Sequence, residues 1–265
     1  MAQQGRIYVG IGGWTYEPWR GAFYPAKWPI KRELEYAAGK LTSIEVNGTY
    51  YGAQKPETFA KWAAETPDDF VFSLKAPRFA TNRRVLAEAG ATIERFFASG
   101  LNELGPKLGP INWQFMATKK FDPLDFEDFL KLLPEKLGKR PLRHVVEVRH
   151  ESFCNSDFIA LVRKYSVGVV IAADSEYPQI GDISAPFVYA RIMGTKEGEK
   201  HGYPAKALDQ WAERAKAWAA GSAPKDIKTF AAAAKPAPRD VYLYVISGHK
   251  VLNPAAAQGL IERVK

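Results

Sequence analysis

Charged and polar residues stand at the ends of short apolar runs throughout this 265-residue chain: Glu45 and Asn47, Lys75, Gln114, Glu147 and Arg149, Asp174, and Arg191. Carboxylates can carry protons or hold one divalent cation such as Mg²⁺ or Mn²⁺, and lysine or arginine can hold an anion or stabilise developing negative charge. Successive strand residues point to opposite sides, so alternation assigns the faces. Ile44 and Val46 face one way and Ser43, Glu45 and Asn47 the other. By the same alternation Glu147 and Arg149 oppose Val146 and Val148, and Tyr189, Arg191 and Met193 oppose Val188, Ala190 and Ile192. Ser73 and Lys75 form a third such set, and Asn112 and Gln114 a fourth. Three carboxylates (Glu45, Glu147, Asp174) then meet three cations (Lys75, Arg149, Arg191), which predicts a nearly neutral cluster.

A structural ion network would explain such a cluster, but each ion taken from water costs several kcal/mol, and apolar replacement is often neutral or stabilising. Six charges gathered at strand ends are better read as a ligand site. Glu45, Glu147, Asp174 and Lys75 are therefore the expected catalytic groups, and Asn47, Gln114, Arg149 and Arg191 the expected substrate-binding ones.

Loops add to this set. The first apolar run leads into Gly12, Gly13, Trp14, Thr15, Tyr16, Glu17, Pro18, Trp19 and Arg20, where Trp14 and Tyr16 could stack a sugar ring or a base. Trp14 and Trp19 could equally plug the end of the fold. Gly194 to Gly198 follows the seventh run, and Ser247, Gly248, His249 and Lys250 follow the eighth, positions that often bind phosphate. Ordinary glycine turns are the competing reading. Cys154 lies close to His150, which is counted among the binding residues, but a lone cysteine is more often simply packed. The Gly10, Gly12, Gly13 cluster lacks dinucleotide-fingerprint spacing, and there is no Walker loop, nucleophile elbow or H-E-x-x-H motif.

These residues need a scaffold that brings distant strand ends together. Eight β-type runs occur, at residues 7–12, 43–47, 70–75, 111–115, 144–149, 168–173, 187–193 and 241–246, most of them separated by helical patterns. Helices are expected at Glu33–Lys40, from Pro56, over Thr92–Leu104, and around Phe126–Leu133. Further ones are expected from a Ser156 cap to Tyr165, through Leu208–Trp218, and after an Asn253 cap with Pro254 at the first position. A mean spacing of about 33 residues matches a single (β/α)8 TIM-type barrel, expected to occupy residues 1–265 as one domain. The sixth unit is irregular, because the Pro- and Gly-containing segment 174–186 predicts a loop in place of a helix. The tract AAAAKPAP at 231–238 is expected to be a surface insertion.

Composition narrows the class. One cysteine excludes an intrachain disulfide framework, and four histidines limit any metal site to a small, carboxylate-assisted one. No run approaches a membrane span, and the segment Ile7–Ile11 is too short for a signal-peptide core, so a soluble cytoplasmic protein is expected. Lys plus Arg number 37 against 29 Asp plus Glu, a formal +8 that favours anionic partners without naming one.

The ordered motifs Gly12-Gly13-Trp14 with Tyr16 and Trp19, Glu45-Val46-Asn47 with Tyr50-Tyr51, Lys75-Ala76-Pro77, Gln114, Glu147-Val148-Arg149-His150, Ala173-Asp174-Ser175 and Tyr189-Ala190-Arg191 resemble the YecE-like family, domain of unknown function 72. The resemblance spans nearly the whole chain. It implies a TIM-type barrel near sugar isomerases and metal-dependent apurinic endonucleases, and it implies no particular reaction. This chain departs from the family pattern at Gln114-Phe115-Met116-Ala117, where members often have Q-L-P-P, and at Ile246-Ser247-Gly248-His249, where many have paired asparagines and a Gly-Gly loop.

The first expectation is an enzyme acting on a small anionic, polyhydroxylated substrate such as a sugar phosphate. A second is a nucleic-acid-binding or phosphodiester-hydrolysing barrel, for which Arg20, Lys27, Lys31, Arg32, Arg83 and Arg84 supply basic groups. The histidines are too few at the strand ends for a three-metal endonuclease centre. A third is a non-catalytic module that binds a metabolite or a protein.

Overall fold

The computed structural model describes residues 4–265. Eight strands close into a barrel: β1 (Ile7–Gly12), β2 (Ser43–Val46), β3 (Val71–Lys75), β4 (Leu108–Gln114), β5 (His144–Glu147), β6 (Gly168–Ala173), β7 (Phe187–Ile192) and β8 (Asp240–Val245). All neighbours are parallel, and β1 pairs with both β2 and β8. This is the TIM-type barrel that the spacing of the apolar runs predicts.

Helices α1 (Glu33–Ala38), α2 (Gly48–Tyr51), α3 (Pro56–Ala64), α4 (Arg78–Thr81), α5 (Gly90–Phe97), α6 (Pro123–Lys131), α7 (Ser156–Lys164), α8 (Ala205–Ala219) and α9 (Asn253–Val264) connect the strands. No helix bridges β6 and β7, as the sequence of 174–186 predicts, and the 231–238 tract is irregular and largely exposed. A small antiparallel hairpin, Lys136–Leu137 with Arg140–Pro141, precedes β5.

Several boundaries differ from expectation for identifiable reasons. β4 begins at Leu108, three residues early, because Gly109 and Pro110 sit in a bulge where Phe72 opposes Leu108 but Leu74 opposes Ile111. A bulge tolerates a proline that cannot donate to the ladder. The expected helix over 92–104 is two elements: α5 stops at Phe97, and Leu101–Lys107 forms a 3₁₀ segment. Gly100 makes the break with φ of 104°, and a side chain there would sit 2.6 Å from Pro56 Cα, so α3 packs against bare backbone. Leu101 and Leu104 are still buried, which preserves the apolar periodicity across the break.

Two expected caps also move. Asn155, not Ser156, caps α7, its Oδ1 accepting from the Phe158 amide at 2.9 Å. Asn253 is the first residue of α9, with Leu252 at the cap, and its Oδ1 accepts from the Thr195 hydroxyl. β2 ends at Val46 and β5 at Glu147, so Asn47 and Arg149 leave their strands.

The barrel interior is graded along its axis. Val71, Val145, Val170, Phe187, Tyr189, Tyr242 and Tyr244 pack in one interior cluster, apart from the larger core between strands and helices. Tyr244 bonds Ser43 at 2.7 Å and Tyr189 bonds Ser73 at 2.8 Å, so small residues on β2 and β3 accept the bulky tyrosines of β7 and β8. β1 makes room with Gly10, where any side chain would lie 2.0 Å from the Ser43 carbonyl oxygen. Above the tyrosines, at the C-terminal ends of the strands, the interior becomes charged.

Candidate active site at the barrel mouth

Glu45 and Glu147 are wholly buried, and all four of their carboxylate oxygens accept hydrogen bonds. Arg191 joins them, with Nη1 at 2.5 Å from Glu147 and Nη2 at 3.0 Å from Glu45. Tyr189 donates to Glu45 at 2.5 Å, and the Asn112 amide bridges both acids at 3.4 and 3.2 Å. Arg149, although past the end of β5, folds back so that Nε and Nη2 both reach Glu147 Oε1, at 2.8 and 2.6 Å. Its guanidinium lies over the Tyr177 ring, 4.2 Å from the centroid, and Nη1 donates to the Tyr177 hydroxyl. Arg191 Nε and Asn112 Oδ1 are buried polar atoms of this network with no partner among the described residues.

Lys75 completes the cluster from β3. Its Nζ donates to Gln114 Oε1 at 2.7 Å and sits 4.5 Å from the centre of the Tyr50 ring. Burial, then the nearby Arg191, push its pKa down to about 8, against partial compensation from Glu45 and Glu147. For Glu147, burial alone would raise the pKa, but Arg191, Arg149 and Lys75 outweigh it and hold the group at about 2. Arg191 is likewise opposed by burial, yet Glu147 and Glu45 keep it above the ordinary arginine value. At neutral pH Glu147 is thus a fixed negative charge, and Lys75 is the member of the cluster that exchanges protons near physiological pH.

The other expected site residues distribute as follows. Asp174 is exposed, has φ of 56°, and accepts from Tyr203, whose hydroxyl in turn accepts from the Gly194 amide. It makes no hydrogen bond with the buried network, which contains two acids and three cations. The neutral balance inferred from sequence therefore becomes an excess of one positive charge. Trp19 is fully buried, its Nε1 donating to the Lys250 carbonyl, and serves as a plug. Trp14 is half-buried against Trp62 and, with Asn47, Gly13, Gln54 and Lys250, lines a cavity of about 300 Å³. Lys250 Nζ lies 4.1 Å from the Tyr16 ring centre.

His150 turns back on its own chain, Nδ1 accepting from the Ser152 amide. The loops after β7 and β8 are tied to each other by the His249 amide, which donates to the Thr195 carbonyl, and the β7 loop closes on itself through the Lys196 amide, which donates to the Gly202 carbonyl. Those N–H groups are already used within the protein. Cys154 is half-buried, and burial raises its thiol pKa, the opposite of an activated nucleophile.

Sequence reasoning placed Tyr189 on the inner face without a role and left Asn112, Tyr50, Tyr177 and Tyr203 outside the site. Tyr189 and Asn112 had a readable signal, being polar at inward strand positions. Tyr177 had none, because it lies in the irregular 174–186 segment.

Among the described residues no three His, Cys, Asp or Glu side chains converge as a metal-binding group, and each oxygen of the two buried carboxylates accepts at least one hydrogen bond. Of the basic residues expected to meet phosphate, Arg20 pairs with Glu33 at 2.7 Å, Arg32 with Glu35 at 2.7 Å and Arg83 with Glu88 at 3.8 Å. Among the described residues no helix is long and apolar enough to cross a membrane. A larger concavity of about 440 Å³ beside Arg6, Thr42 and Lys216 opens near the N-terminal ends of the strands, and one of about 560 Å³ lies among Glu151, Cys154, Pro178, Gln179, Lys228 and Phe230, partly on segments that follow β5 and β6.

Fold and site together define a TIM-type barrel with a buried, net-cationic network at its C-terminal mouth, the end at which such barrels carry their chemistry. The chain belongs to the family described as "Protein of unknown function DUF72", whose model matches residues 8–265. It is 29% identical over 147 residues to UPF0759 protein YecE of Escherichia coli K12, a match covering 56% of this chain and 50% of that protein. It is 25% identical over 189 residues to UPF0759 protein YunF of Bacillus subtilis, covering 69% and 64%. The matched stretch thus spans half of YecE and less than two thirds of YunF. A DUF72 family protein from Thermotoga maritima has the same fold, with a TM-score of 0.73 at 20% identity over 97% of this chain and 98% of that one.

Proposed function

We propose that the barrel mouth binds a small anionic, polyhydroxylated metabolite of the sugar-phosphate type and acts on it as an enzyme. The observation that carries this reading is the charge of the network: two buried carboxylates against three cations, with Lys75 and Arg149 the cations nearest the surface. Arg149, oriented by Glu147 and Tyr177, holds the anionic group. Lys75 exchanges the proton, and Arg191, braced between Glu45 and Glu147, supplies positive charge from below without moving. Gln114 and Asn47 offer hydrogen bonds to substrate hydroxyls, and Trp14 offers an apolar wall in the cavity that it shares with Asn47. Glu45 and Glu147 act in this scheme by positioning the arginines.

The test is a thermal-shift screen of phosphorylated sugars and sugar acids against the chain and its Arg149→Gln variant. A bound ligand at about 100 times its Kd adds roughly 2.7 kcal/mol of stability. A compound that raises Tm in the parent but not in Arg149→Gln supports the assignment. No response to any anion, with tight salt-sensitive binding of oligonucleotides, would replace it with the nucleic-acid reading, and binding without turnover would leave a non-catalytic module.

A further inference from the structure

We propose that Lys75 attacks carbonyl substrates covalently, so that the metabolite bound at the mouth is an aldehyde or ketone carrying a phosphate or carboxylate and is held as a Schiff base. This rests on the anion-binding reading and narrows it to one chemical class.

Lys75 and Lys107 are the buried lysines among the described residues, each 7% exposed, and their surroundings differ in a way that separates a structural ammonium from a reactive amine. An ammonium has three N–H donors and no lone pair. Lys107 directs Nζ to three oxygens, the Ala63 carbonyl at 2.6 Å, the Thr66 carbonyl at 2.7 Å and the Thr66 hydroxyl at 3.2 Å, and so ties down the end of α3. Lys75 has one protein acceptor, Gln114 Oε1, and shares its network with Arg149 and Arg191. Burial, and then Arg191, disfavour its charged form against the partial compensation of Glu45 and Glu147, and a single acceptor leaves its nitrogen open to a carbonyl where that of Lys107 is enclosed by three. With its pKa near 8, about one Lys75 in ten is a neutral amine at pH 7, against fewer than roughly one in a thousand for an ordinary lysine.

Position completes the case. Lys75 is the last residue of β3, at the mouth, and the Tyr50 ring beneath Nζ fixes its approach. In the reaction the Nζ lone pair forms a bond to the carbonyl carbon while the π pair moves to oxygen. The nitrogen proton passes to that oxygen, giving a carbinolamine. Its hydroxyl leaves as water with a proton from solvent, and the nitrogen lone pair forms the C=N bond. The product is a protonated imine whose cation joins Arg149 and Arg191 in holding the anionic end, and no oxidant or cofactor is consumed.

The experiment is reductive trapping. The full chain is incubated at pH 7 with dihydroxyacetone phosphate, glyceraldehyde 3-phosphate or pyruvate, treated with borohydride, which delivers hydride to the imine carbon, and mapped by peptide mass spectrometry. Glycerol 3-phosphate and lactate serve as carbonyl-free controls. The proposal predicts modification at Lys75 at least about tenfold above that at any exposed lysine, suppressed by inorganic phosphate and absent in Lys75→Arg. A saturable rise in Tm with glycerol 3-phosphate, lactate or inorganic phosphate, together with labelling spread evenly over surface lysines, would overturn the covalent proposal and leave the anion site standing. Even labelling with no rise in Tm for any anion would overturn both. Because the parent's labelling map and Tm decide between these outcomes, a misfolded Lys75→Arg protein would not affect the result.

Discussion

Arg191 offers a direct test of whether the buried charges serve the fold or the ligand. Changing Arg191→Met leaves Glu45 and Glu147 wholly buried with their shared cation gone. Removing one partner from a buried ion pair typically costs about 3–5 kcal/mol, because the remaining charge is uncompensated. At roughly 2–4 °C per kcal/mol for a chain of this size, Tm should fall by about 6–20 °C. The triple variant Glu45→Gln, Glu147→Gln, Arg191→Met removes Arg191 together with the two carboxylates that pair with it and leaves Lys75 and Arg149 charged. Tyr189, Asn112 and Arg149 still offer hydrogen bonds to the two glutamines. A network kept for binding should then recover most of the loss, to within about 1–2 kcal/mol of the parent, while binding anions more weakly because a charged Glu147 no longer orients Arg149. Differential scanning calorimetry on the parent, single and triple variants at pH 7 reads this out. A triple variant as unstable as Arg191→Met would refute the reasoning and make the network a structural element.

Other perturbations follow from the same geometry. The Glu147 pKa is lowered from 4.5 to about 2, so the stability it contributes, about 3 kcal/mol, is complete above pH 4.5 and lost as pH falls toward 2. Glu147→Gln should flatten the Tm profile in that window. His144 accepts from Trp113 Nε1 on Nδ1, so Nε2 carries the hydrogen and donates to the Pro134 carbonyl. Burial lowers its pKa to about 4, so the unfolded chain binds the proton first and stability falls between pH 6.5 and 4. Nitrogen NMR should report the Nε2–H tautomer at pH 6, and a cationic ring at that pH would be inconsistent with this burial. Asn155→Ala should cost about 1 kcal/mol while Ser156→Ala costs much less, measured by denaturant midpoints, because Asn155 holds the α7 cap.

Much of this was legible in the sequence because barrel strands obey a period of two. That period put Glu45, Lys75, Gln114, Glu147 and Arg191 on one face before any coordinates, and all five lie at the mouth. It could not reveal which charges pair, since pairing depends on the circular order of the strands: Arg191 on β7 reaches Glu45 on β2 across the barrel. Asp174 illustrates the limit. It follows β6 directly, but a left-handed backbone turns it toward Tyr203, and the balance of three acids and three bases fails at that residue. Amphipathic periodicity likewise ran through Gly100, because both fragments bury apolar residues while the helix itself stops. The α7 cap shifts by one residue for a related reason: adjacent Asn155 and Ser156 have similar capping ability, and only backbone geometry chooses between them.

The central claim is that the excess positive charge at the mouth exists to hold a small anion. A crystal of the chain soaked in tungstate or selenate, phosphate and sulfate analogues with strong anomalous scattering, tests it most directly. The account predicts an anomalous peak within hydrogen-bonding distance of both Arg149 and Lys75, lost in Arg149→Gln. Peaks confined to surface lysines, with the mouth empty at saturating anion, would contradict it.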